Sequence, residues 1–281
     1  MKTMSPVRRM AECAVLVALA TVLSLIKLID LPYGGSVTAA SALPIVILAY
    51  RHGLKYSLPS ALVYAVVQQL LGLKSLSYVT GWQSVLAVIL LDYIIAFAVL
   101  GFGGVFRPLK APQAVCLTAG AFLVCLLRYV CHVISGATVW AGLSIPDSAA
   151  LLYSLGYNAT YMVPETLILV AAMLYLGNLI DFTADMPTRL RFSERMRVDK
   201  VGKVLYPATG FVVLAAVVYI VIAVFSHLQN ADTGSFDFTG ADAVSWGAVI
   251  AVGAVALVAF AAAFAYACDS GTKNSENSEK N

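Results

Sequence analysis

Long apolar runs separated by short polar breaks dominate the chain, and their lengths predict helices. Eight are expected: residues 10–29, 38–50, 54–73, 84–106, 112–139, 148–180, 204–227 and 243–268. The second is short for a hydrocarbon core of about 30 Å, which suits a partial or tilted span. Polar residues interrupt these runs at few points. One is Asp92 in the fourth run. Another is the fifth, where His132, Gly136 and Trp140 recur at i, i+4 and i+8 and share one helix face. A third is Tyr153 to Asn158, at the start of the sixth.

Composition fixes the class. Of 281 residues 60% are hydrophobic and only 12% are charged, against roughly a quarter charged in soluble domains. Mean hydropathy is +0.86. The expected fold is an all-α, polytopic membrane protein in a lipid bilayer. The basic residues set its orientation. All but Lys27, Lys74 and Arg128 of the 18 Lys and Arg fall on alternate loops or at the ends of the chain. Arg8, Arg9, Arg51, Arg107 and the Arg189–Lys203 cluster thus share one side, and both termini are expected in the cytoplasm. Lys2, Arg8 and Arg9 precede an apolar run without a small-residue cleavage site, so the first span is expected to stay.

Four parts are expected: a six-helix membrane domain over 1–182, a basic cytoplasmic linker over 183–203, a two-helix membrane appendage over 204–268 and a disordered tail over 269–281. No internal repeat suggests an inverted-repeat carrier. There is no GxxxxGK[ST], GxSxG or HExxH. The five cysteines are odd in number and form no CxxC, so they read as small buried hydrophobes. No metal, cofactor, catalytic residue or nucleic-acid partner is expected.

The polar residues converge in depth. With this topology Tyr33, Trp82, Asp92, His132, Gly136, Trp140, Tyr153 and Asn158 all fall in the outer part of the bundle. That predicts a pocket opening outward. A carboxylate inside a span costs about 2.5–3.5 kcal/mol on insertion scales and needs a partner. Asp92 reads either as counter-ion for a cationic ligand or as half of a structural ion pair with Arg128 or Lys74. Trp82 and Trp140 read as pocket walls or as members of the interfacial aromatic belt. His132, Tyr153 and Asn158 read as ligand contacts or as hydrogen-bonding glue between helices. Glu165 reads as an internal hydrogen-bond acceptor near Pro164 or as a proton relay. An aromatic box with a carboxylate suits a small planar cation. On the first helix, Ala14 and Ala18 form a small-xxx-small motif that permits close approach of another helix, from this chain or from a partner.

Over about residues 8–182 the chain resembles the thiamine-specific substrate-binding subunits (S components) of energy-coupling factor transporters. The resemblance rests on Leu31–Thr38 (LPYGGSVT), Leu43-Pro44 with Arg51-His52-Gly53, the Asp92-Tyr93 pair, Arg128-Tyr129-x-x-His132-x-x-x-Gly136-x-x-x-Trp140, and Tyr153-Ser154-x-x-Tyr157-Asn158. It implies a six-helix bundle whose outer pocket holds thiamine. It assigns Asp92 to the thiazolium charge, Trp140 to ring stacking, and His132, Tyr153, Asn158 and neighbouring Tyr93 to polar contacts. Gly136 would leave room for the ring, and Tyr33 would serve as an aromatic lid. Ala14 and Ala18 would contact the transmembrane coupling subunit, which works with two ATPase subunits. Two departures stand out. The family's usual carboxylate is Glu, one methylene longer than Asp92, which admits a precursor or analogue as ligand. The two helices after residue 203 lie outside the usual six. The alternatives are a carrier working alone, with Glu165 as proton site, and an intramembrane enzyme using Asp92 and His132 as acid and base.

Overall fold

A computed structural model describes residues 4–31, 35–79, 81–109, 111–139, 150–190, 200–202, scattered positions between 204 and 227, and 238–279. The chain forms two compact units, residues 1–109 with 113–195, and residues 110–112 with 196–281. The division falls inside the basic stretch read as a linker.

The first unit holds six helices among its described residues: α1 (Pro6–Leu25), α2 (Leu43–His52), α3 (Leu54–Leu71), α4 (Trp82–Gly104), α5 (Gln113–Thr138) and α6 (Ala150–Leu179). The Ser5 hydroxyl caps α1 by accepting from the Arg8 N–H at 3.3 Å, and Pro6 occupies the first turn, where its missing N–H costs nothing. Helix α1 ends earlier than expected. The chain then forms a hairpin in which β1 (Lys27–Asp30) pairs antiparallel with β2 (Ser36–Thr38). That hairpin takes the start of the expected second helix, and α2 keeps only ten residues. At 1.5 Å per residue it covers about half of a bilayer core. It is buried from Pro44 to Arg51, so it serves as the centre of the unit. Packing there is close. A Cβ on Gly104 of α4 would collide with the Ala49 carbonyl of α2.

Among the described residues four segments have the length and hydropathy of a membrane crossing: 82–104, 113–137, 153–179 and 246–267. Of the eight expected crossings, α2 is too short. Helix α1 opens with Arg8, Arg9 and Glu12, and α3 closes with Gln68 and Gln69, which shortens their apolar stretches. The expected helix 204–227 lies largely outside the described residues.

One end of the unit is tied by charge. Arg51 donates to Glu12 of α1 and to the carbonyls of Phe182 at 2.7 Å and Ala184 at 3.1 Å. Arg107 donates to the Arg51 carbonyl at 2.6 Å. The segment after α6 is therefore held, and β3 (Ile180–Asp181) pairs with β4 (Thr188–Arg189). The first residues of the stretch read as linker are thus part of the first unit. The second unit contains α7 (Trp246–Glu279), whose apolar Ile250, Val255, Leu257 and Val258 are exposed. Helix α7 runs through most of the segment expected as a disordered tail. No proline stops it, and extending a formed helix adds one hydrogen bond per residue fixed.

Candidate functional site

The far end of the first unit encloses a cavity of about 330 Å³. It is lined by the end of α1, the hairpin, and faces of α3, α4, α5 and α6. Helix α4 widens here. Ile89–Ile95 forms a π-helical turn, a feature found often at functional sites. This turn carries both Asp92 and Tyr93, and both line the cavity.

Asp92 is held by α5. His132 Nδ1 lies 3.0 Å from Asp92 Oδ1, and the Ser135 hydroxyl donates to Oδ2 at 2.6 Å. His132 and Ser135 stand three residues apart and so share a helix face. Sequence reasoning passed over Ser135, although its spacing from His132 was the available signal. Neither Arg128 nor Lys74 partners Asp92, as the ion-pair reading supposed. Arg128 instead lies 3.6 Å from Glu165 of α6. Glu165 also stands near the Thr38 and Ser41 hydroxyls, at 3.2 and 3.5 Å. Both Arg128 and Glu165 line the cavity.

The α6 wall is wired to α5. Asn158 Nδ2 donates to the His132 carbonyl at 3.2 Å and to the Ser154 carbonyl at 2.8 Å. Its Oδ1 accepts from the Tyr161 hydroxyl. Tyr153 and Tyr157 stack at 5.9 Å between ring centres, and both line the cavity. Tyr93 reaches the loop after α3, with its hydroxyl 2.8 Å from Ser75 Oγ and donating to the Gly72 carbonyl at 3.2 Å. Among the described residues the buried His132 Nε2 has no hydrogen-bond partner. It is the ring nitrogen that Asp92 does not engage.

The structure therefore brings Asp92, Tyr93, His132, Gly136, Tyr153 and Asn158 to one cavity. Gly136 is closely packed as well: a Cβ there would collide with Ser154 Oγ, so its small size lets α6 approach α5. Trp82 starts α4, is 74% exposed and does not line the cavity, so it reads as an aromatic-belt residue. Trp140 and Tyr33 lie outside the described residues. Ala14 and Ala18 are exposed on α1.

Residues 10–181 match the family described as thiamine transporter protein. A curated protein, thiamine transporter ThiT of Bacillus subtilis (strain 168), is 34% identical over 181 residues, covering 60% of this chain and 90% of that one. A solved structure of ThiT from Listeria monocytogenes is similar with a TM-score of 0.50, at 21% identity, over 60% of this chain and 92% of that one. At that identity the likeness speaks for the fold alone.

Proposed function

The chain belongs to the thiamine transporter family, and from that premise we propose that its cavity binds cationic thiamine with Asp92 as counter-ion. The observation that carries the reading is a membrane-helix carboxylate at a cavity wall, held by a serine and a histidine and by no lysine or arginine among the described residues. A carboxylate so placed attracts a cationic ring lodged beside it. His132 Nε2 and the neighbouring Asn158 supply hydrogen bonds. The Tyr153–Tyr157 stack offers ring faces to positive charge, and Tyr93 completes the wall. Trp140 takes the ring-stacking role that the S-component resemblance gives it.

The six-helix unit is the substrate-specific subunit of an energy-coupling factor transporter, not an enzyme. The sequence holds no P-loop motif, so ATP hydrolysis falls to two partner ATPases through a membrane coupling subunit. Exposed Ala14 and Ala18 on α1 suit close contact with that subunit. The pocket faces outward and the Arg8–Arg51–Arg107 end faces the cytoplasm, in line with the positive-inside rule. The last helices are an additional membrane appendage.

The test is calorimetric titration of thiamine into the purified, detergent-solubilised protein. Saturable one-to-one binding is expected. A folded protein that takes up no thiamine would remove the proposal. Uptake in cells lacking the coupling module would instead favour a carrier working alone.

A further inference from the structure

Packing holds α1 lightly. Of its 20 residues Cys13, Ala20 and Ser24 are buried, while Val7, Met10, Val15 and Val22 are exposed. Polar ties sit toward its two ends. At one, Gln68 of α3 donates to Ser24 Oγ at 2.9 Å. At the other, Arg8 and Glu12 share a face one turn apart and are tied to the segment that follows α6. Arg51, 8% exposed, is the centre of that tie. Its Nε and Nη2 donate to the Glu12 carboxylate, Nη2 at 3.2 Å. Its Nη1 donates to the carbonyls of Phe182 at 2.7 Å and Ala184 at 3.1 Å, and Nη2 also reaches the Asp185 carbonyl at 3.4 Å. Every N–H of the guanidinium is thereby used. Asp185 also accepts from Arg8, at 2.9 Å on Oδ2 and 3.4 Å on its carbonyl. Gln113 of α5 fixes the segment from another side, accepting from the Phe182 N–H at 2.9 Å and donating to the Ile180 carbonyl at 2.7 Å. Arg8 precedes, and Phe182, Ala184 and Asp185 follow, the stretch 10–181 that matches the family.

We infer that the hairpin after α6, Ile180 to Arg189, is a strap that seats α1 for transport. Through Arg51 and Arg8 it holds the exposed face of α1 in place against α2 and α6, and uptake depends on it while ligand binding does not. The inference rests on the reading that Ala14 and Ala18 meet a coupling subunit. Ala14 lies two residues beyond Glu12, so the strap acts within a turn of that face. Contact through small residues needs close backbone approach. A gap of about 0.5–1 Å forfeits roughly a quarter to a half of the attraction between facing atoms. With few buried side chains to fix α1 sideways, the Arg51 and Arg8 ties decide that approach. A lysine at position 51 would keep the charge but present three donors from a single point. It cannot span a carboxylate and three carbonyls as the planar fork does. Arg51 and Arg8 are therefore positioning residues for transport.

The experiment measures uptake of labelled thiamine by the full-length protein in cells carrying the coupling module, per molecule of protein in the membrane. Thiamine affinity of the same purified proteins is measured beside it. Arg51→Lys is expected to lower uptake at least about tenfold and to leave affinity within about twofold of native. Arg8→Glu sets like charges face to face at Asp185 and is expected to lower uptake about threefold. Arg8→Glu combined with Asp185→Arg restores an opposite pair and is expected to return uptake to within about twofold of native, a rescue that general destabilisation would not give. The Arg8–Asp185 pair is solvent-exposed, so these two variants fold and decide the matter should Arg51→Lys not fold. Native uptake in a folded Arg51→Lys protein overturns the proposal. So do equal losses of affinity and uptake, and so does a swapped pair that restores nothing. Uptake by the native protein without the coupling module would instead remove the docking reading on which the strap rests, and absence of thiamine binding by the native protein would remove the thiamine reading.

Discussion

Replacing Asp92 by Asn removes one charge and almost no volume. The hydrogen bonds at that position survive the change. The Asn amide can donate to the Ser135 hydroxyl oxygen, which now donates to Oδ2 at 2.6 Å. The imidazole keeps its tautomer, because the Asn carbonyl accepts from His132 Nδ1–H at the present 3.0 Å position while a serine hydroxyl can accept from the amide as readily as it donates. Folding should therefore be preserved while the field at the cavity wall changes. A thiazolium centred about 5 Å from the carboxylate, at an effective dielectric constant of about 20, gains roughly 3 kcal/mol. Losing that term weakens thiamine binding on the order of a hundredfold. A ligand of the same shape whose charged ring is replaced by a neutral one never had the term, and its affinity should change by less than about threefold. Calorimetric titration of both ligands into native protein and Asp92→Asn measures the difference directly. Equal losses for the two ligands would refute the counter-ion argument and leave Asp92 as a shape or hydrogen-bond element only.

Other consequences follow from the packing. Gly136→Ala places a methyl against Ser154 Oγ, which itself donates to the Val133 carbonyl at 2.8 Å. Separating α5 from α6 should cost about 1–3 kcal/mol and lower the melting temperature in detergent, and an unchanged melt would show that the two helices yield without strain. Glu12→Gln leaves the buried Arg51 guanidinium without its carboxylate, though the Phe182 and Ala184 carbonyls remain. A loss of about 3 kcal/mol is expected from thermal unfolding, with thiamine affinity of the folded protein unaltered because the pair lies at the opposite end of the unit from the cavity. Ala14→Trp with Ala18→Trp places two bulky groups on the exposed face of α1. Binding by purified protein should persist while cellular uptake with the coupling module is abolished, and surviving uptake would move the docking face elsewhere.

The class of the protein and several residues of the cavity wall were legible along the chain because both depend on local quantities. Hydropathy of consecutive residues and the placement of Lys and Arg mark out membrane segments without reference to any neighbour. The cost of polar groups in lipid is likewise local, so Asp92, His132 and Asn158 stood out before any contact was known. Which group meets which was decided only by the tertiary structure. Asp92 takes His132 and Ser135 rather than Arg128 or Lys74, and Arg128 takes Glu165. Those choices follow from the rotation of each helix about its axis, which the π turn at Ile89–Ile95 shifts away from a regular 3.6-residue period. Gly136 is similar: its spacing from His132 placed it on the cavity face, but only the approach of Ser154 showed what its missing side chain makes room for. Trp82 kept two readings in the sequence because an aromatic residue near a helix end satisfies both a pocket and the membrane interface, and only the fold shows it 74% exposed and off the cavity wall. A sequence records which groups lipid will not tolerate alone; helix rotation and close packing decide how they are satisfied.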